Sequence, residues 1–107
     1  QFDSRYSKIT VPARARIDTD IPITVVLKNS DDQPLINAHV KLYSGRNTET
    51  TIDSIRPADV QTDMSGCARF VLRSAVPGEV PVYAQSDLVW VQERPTIVSV
   101  VSSQEGL

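Results

Sequence analysis

With one cysteine, the chain can form neither an internal disulfide nor a multi-cysteine zinc site. Histidine is single too, so no metal-binding pair of histidines exists. Basic charge is not in excess: eleven Lys and Arg face thirteen Asp and Glu, scattered along the sequence, for a formal net charge of -2. No basic stripe is available to neutralise phosphates, and nucleic acid is not an expected partner. No stretch approaches the roughly 20 apolar residues of a membrane span, so membrane insertion of this domain is not expected. Gly45, Gly66, Gly78 and Gly106 are the only glycines, and each falls in an expected turn or the tail. Phosphate-cradling glycine loops and the G-x-S-x-G nucleophile motif are absent, so the chain is not expected to be an enzyme or to need a cofactor.

What is present is an ordinary globular composition, 40% hydrophobic and 22% charged over 107 residues. A chain of this length buries roughly 65% of its extended surface on folding, enough for one core without staples or metal. The first residues, Gln1-Phe2-Asp3-Ser4-Arg5-Tyr6, have neither an initiator Met nor the apolar stretch of a signal peptide. We therefore expect a piece of a longer or processed protein.

Fourteen Val and eight Ile outnumber six Leu, seven Ala and one Met, and β-branched side chains suit strands better than helices. Along Ile21–Lys28, Ile21, Ile23, Val25 and Leu27 share one face, the mark of a half-buried strand. Asn29–Pro34 is a turn, after which Ala38, Val40 and Leu42 alternate with His39, Lys41 and Tyr43 in a second strand, expected to pair antiparallel with the first. The stretch from Ser44 to Thr62 is least patterned, with short strands at best around Ile52–Ile55 and Val60–Thr62. Asp63–Gly66 turns into Cys67–Arg73, where Ala68, Phe70 and Leu72 point inward and Arg69 and Arg73 outward. Ala75–Gly78 turns into Glu79–Ala84, where Pro81 implies an edge strand or an unpaired N–H. Ile9–Val11, Leu88–Val91 and Thr96–Val101 add further strands. Six to eight short one-sided strands need two facing sheets to hide them. An all-β Greek-key sandwich of about seven antiparallel strands follows. The domain is expected over residues 9–101, with polar linkers at 1–8 and 102–107.

Three segments carry a resemblance. Ile23–Leu42, with its strand, Asx-rich turn and returning strand, Thr62-Asp-Met-Ser-Gly-Cys-Ala-Arg-Phe-Val-Leu72, and Pro77-Gly-Glu-Val-Pro-Val-Tyr-Ala84 together resemble the bacterial immunoglobulin-like domains of the invasin and intimin type. The chain departs from that pattern at Asp31-Asp32-Gln33, where the family usually has Gly, and at Cys67. The resemblance implies an extracellular or cell-surface, noncatalytic structural module, a spacer in an adhesin-type stalk whose partners are neighbouring domains of the same chain. Macroglobulin-type frame domains of thioester-like proteins share the motif style and stay open as an alternative. So does a direct binding module for a host or surface protein or a glycan.

Trp90, with Tyr83 and Tyr43 alternating outward on neighbouring strands, is the candidate partner-binding set, a platform for a sugar or a protein. A tryptophan in a sandwich also serves core or interdomain packing. His39 is expected at the surface, and Cys67 as a small, partly buried residue, with pairing between molecules as its alternative. Arg14, Arg16, Arg69 and Arg73 form a guanidinium patch only if their strands are neighbours. Asp18-Thr19-Asp20 and Asp31-Asp32 are the acidic clusters to which calcium could come. Without the D-x-[DN]-x-[DN]-G spacing they read as turn residues, and no metal site is expected.

Overall fold

The computed structural model describes residues 2–102. In chain order the strands are β1 (Lys8–Thr10), β2 (Arg14–Arg16), β3 (Ile21–Val26), β4 (His39–Ser44), β5 (Asp53–Arg56), β6 (Val60–Gln61), β7 (Cys67–Ser74), β8 (Gly78–Ser86), β9 (Val89–Trp90) and β10 (Thr96–Val101). One sheet has the order β1-β3-β7-β5; the other runs β2-β10-β8-β4-β6, with β9 added on β8. The fold is an all-β sandwich, and no helix long and apolar enough to cross a membrane is present among the described residues.

Alternation fills the space between the sheets. Ile21, Ile23, Val25 and Leu27 meet Ala68, Phe70 and Leu72 within the first sheet. Val40, Leu42, Val80, Val82, Ala84, Val98 and Val100 face them from the second. Each large apolar side chain fully buried there stabilises the fold by about 1.5–3 kcal/mol relative to exposure. Phe70, the bulkiest fully buried residue, lies opposite Ile23 across the β3–β7 pair.

The expected pairing of β3 with β4 is wrong. β3 is bonded to β1 on one edge and β7 on the other, so neither edge is left for β4, which pairs with β8 and β6 in the opposite sheet. The Asn29–Pro34 turn does close locally. The Asn29 side chain accepts from the Asp31 and Gln33 N–H groups, and Leu35 N–H donates to the Leu27 carbonyl. Asn37, at φ 59°, then turns the chain across to the second sheet. Buried Thr62 holds that crossing: its hydroxyl donates to the Leu35 carbonyl and accepts from Ala38 N–H.

Pro81 lies in the interior of a sheet, between β10 and β4, and the edge expectation fails. The unpaired-nitrogen expectation holds for a geometric reason. The Pro81 carbonyl accepts from Gly45 N–H, and a strand residue's N and O point to the same side. Its nitrogen, which carries no hydrogen, therefore faces Gly45, the residue just past the Ser44–Val82 pair that ends β4.

The segment before β1 lies on the sandwich. Phe2 packs against the core, Asp3 N–H donates to the Lys28 carbonyl, and the buried Ser7 hydroxyl accepts from Lys28 N–H. Gln1 and most of the expected C-terminal linker, 103–107, lie outside the described residues. β2, which the sequence reading did not set out as a strand, pairs parallel with β10.

Candidate functional site

Tyr43 and Tyr83 are directly paired on β4 and β8, and Trp90 on β9 stands opposite Gln85, one step along the same face. The structure brings the three expected residues together. The indole sits 5.7 Å from the Tyr43 ring and 5.8 Å from the Tyr83 ring, at interplanar angles of 72° and 61°. These are edge-to-face contacts, which brace a ring without stacking on it. Trp90 remains 50% exposed, so it is not a core residue of this sandwich.

Beside it opens a cleft of about 370 Å³ lined by Tyr83, Trp90, Gln92 and Glu93. It lies along β8, where β9 has ended and β10 has not begun. Gln92 is a fixed wall: its carbonyl accepts from Ile9 N–H, and its amide donates to Thr96 Oγ1 and the Arg94 carbonyl. Trp90, Gln92 and Glu93 also border a second cleft of about 490 Å³, together with Phe2, Ser4, Val89 and Val91.

β9 is carried by a two-residue hairpin loop. Asp87 and Leu88 both have positive φ, 51° and 66°, the requirement of a type I′ turn. Leu88 has no glycine freedom there, and its side chain is 88% exposed.

The other expected candidates do not assemble. Arg14 and Arg16 sit on β2 in one sheet and Arg69 and Arg73 on β7 in the other, so the four make no common patch. Arg69 pairs with Asp63 at 2.7 Å and Arg73 with Asp20 at 3.0 Å. The Arg69 side chain, with the N–H groups of Cys67 and Ser65, holds the Asp63 carboxyl below its ordinary range. Asp20 is thereby engaged, Asp32 pairs with Lys28, and no group of three or more His, Cys, Asp and Glu suited to a metal is found among the described residues. His39 is exposed on β4, as expected, and Nδ1 lies 3.0 Å from Asp59 while Nε2 faces the Gln61 amide. No spacing signal pointed to that carboxylate, 20 residues away. The groove around the His39–Asp59 pair, lined also by Lys41, Gln85, Asp87 and Leu88, contains no hydroxyl or thiol nucleophile. Cys67 is half-buried, with its thiol directed at the Ser65 carbonyl.

No protein-family model matches the chain, and no curated protein does. Solved structures do. FdeC, an Escherichia coli adhesin, is 13% identical over 97% of this chain and 33% of its own, with a TM-score of 0.80. Invasin, a bacterial integrin-binding protein, is 17% identical over 95% of this chain and 20% of its own, at 0.76. A C-terminal intimin fragment, solved with the intimin-binding domain of the translocated intimin receptor, is 23% identical over 87% and 32%, at 0.69. The fold is the bacterial immunoglobulin-like sandwich of the intimin and invasin type. The chain spans a fifth to a third of the length of these three structures.

One polar feature of this immunoglobulin-like sandwich was missed in the sequence. Asp53 opens β5 with its side chain fully buried. It accepts from the Ser44 hydroxyl at 2.6 Å, and from Arg46 Nε at 3.0 Å and Nη2 at 2.6 Å. Arg46 also donates to Ser74 Oγ and to the carbonyls of Val76 and Pro77. Burial pushes the Asp53 carboxyl up, but hydrogen bonds from Arg46, Ser44 and Ser74 and the guanidinium charge outweigh it, and the net shift is downward. The cluster ties β4 of one sheet to β5 and β7 of the other. Ser44, Arg46 and Asp53 lie in the unpatterned stretch and Ser74 at the end of β7, and the only signal was an Asp among short polar residues.

Proposed function

We propose that this sandwich is a noncatalytic spacer module of a cell-surface or extracellular adhesin-type protein, one bead in a string that carries load between neighbouring domains. The observation that carries this reading is the placement of the first and last described segments. Asp3 is bonded to Lys28, just past the end of β3, whereas Val101 is bonded to Ile17, and the next residue, Asp18, to Ser74, beside the start of β3. The described chain thus begins near one end of β3 and finishes near the other, at opposite poles of the sandwich.

Tension between those poles runs along the strand axes. It loads the β1–β3 and β2–β10 hydrogen bonds side by side in shear, so they resist together rather than one after another. The fold shared with FdeC, invasin and intimin fits such a role.

Single-molecule stretching of linked copies tests this reading. One all-or-none rupture per copy is expected, releasing roughly 300 Å of new length, the extended span of residues 2–102 less the folded one. Gradual lengthening at forces too low to distinguish from an unfolded chain would overturn it.

A further inference from the structure

We propose that the cleft beside Trp90 is a binding site for a neutral sugar ring, a role beyond that of a spacer. Four features point to that class of ligand. The first is an aromatic wall: Trp90 is held in a fixed plane by two tyrosines, neither of which stacks flat on it. Such a wall accepts the C–H face of a pyranose, as it accepts other flat, weakly polar surfaces.

The second is unused polar capacity. Among the described residues no hydrogen bond or ion pair engages the Glu93 carboxylate or the Tyr83 hydroxyl, although both residues line the cleft. A hydroxyl-rich ligand supplies the donors that a carboxylate needs. An apolar side chain of a protein partner would desolvate Glu93 without pairing it. The third is charge: the carboxylate disfavours an acidic sugar and leaves neutral hexoses as the matching set. The fourth is shape. At about 370 Å³ the cleft lies at the small end of ligand sites of ~300–1,000 Å³. Only Tyr83 and Trp90 bring rings to it, too few to enclose a quaternary ammonium in an aromatic cage.

Preorganisation supports the assignment. The three hydrogen bonds of Gln92 fix that wall of the cleft before any ligand arrives. The β8–β9 hairpin is kept in a turn with Leu88 at φ 66°, a conformation a leucine rarely adopts. Strain of this kind collects at functional sites, and here it is what presents Trp90 on the outer face.

Trp90 is the sole tryptophan, so its emission reports on ligands at this indole, and Tyr83, which lines this cleft and not the neighbouring one, tells the two apart. The probes are the methyl glycosides of glucose, galactose, mannose and N-acetylglucosamine, each titrated against the protein, with tetramethylammonium chloride and N-acetylneuraminic acid as the cationic and acidic comparators. At least one neutral glycoside should change the emission saturably. Glu93→Ala should weaken that binding about tenfold, as loss of a hydrogen bond to a charged group does, with an unchanged melting curve. Tyr83→Phe should weaken it by a smaller factor, and an unrelated surface change, Glu49→Ala, should not alter it. Silence with all four neutral glycosides, a response to tetramethylammonium or the acidic sugar alone, or full retention of binding in Glu93→Ala would each overturn the proposal.

Discussion

Replacing Asp53 by Asn tests the claim that a buried charge cluster joins the two sheets. The change keeps the side chain's shape and removes its charge. Ser44 Oγ–H, Arg46 Nε–H and Arg46 Nη2–H all converge on the carboxylate. An amide offers one acceptor oxygen, so its NH₂ must meet at least one of those donors. Arg46 is left with its charge 16% exposed and without a counter-ion, although Ser74 Oγ and two carbonyls still hold it. Breaking a buried pair from one side costs about 3–5 kcal/mol. At ~4 °C per kcal/mol for a domain of this size, the lower bound is a fall in Tm of about 12 °C.

The pH dependence carries the sign of the shift. The folded-state pKa of Asp53 lies below its ordinary value of 3.8. Its contribution is therefore complete above about pH 4 and is lost as pH falls through the lower, folded value. Urea denaturation from pH 3 to pH 7 should show the variant less stable at neutral pH and converging on the native protein in acid. A loss below about 1 kcal/mol at pH 7, or an acid limb as steep in the variant as in the native protein, would refute the coupling.

Two further substitutions test local geometry. Gly66 has φ +78°, and a Cβ there would sit 2.5 Å from the Leu27 carbonyl oxygen and 3.2 Å from Pro34. Gly66→Ala should therefore cost more than the ~1 kcal/mol of left-handed strain alone, by urea titration, because backbone must move as well. Leu88→Gly should act in the opposite direction. The side chain is 88% exposed, so little burial is lost, and relief of its positive φ should stabilise the protein by ~1 kcal/mol, read as a higher urea midpoint at unchanged slope.

The two-residue alternation was legible wherever one face of a strand is buried. Ile21 to Leu27, Ala68 to Leu72 and Val80 to Ala84 are inward in the structure as their spacing requires. The turns were legible where chemistry is local, as in Asp63–Gly66, where the aspartate side chain accepts from the Ser65 and Cys67 N–H groups within the same turn. The aromatic set was partly legible: outward phase on two strands placed Tyr43 and Tyr83 together, and Trp90 joined them. The cleft beside them was not, because it depends on where β9 stops and β10 starts along β8.

Residue order alone decides which side chains turn inward, since the pleat alternates side chains whatever the neighbour is. It did not determine which strand lies beside which. A strand's hydrogen-bonding edges run perpendicular to its side chains and carry almost no residue-specific information, so β3 and β4 looked like a hairpin until β1 and β7 were seen to hold both edges of β3. The Asp53–Arg46 cluster was settled at the same level. Only the stacking of two sheets puts Ser44, Arg46, Asp53 and Ser74 within hydrogen-bonding distance, and only that burial makes their charges matter.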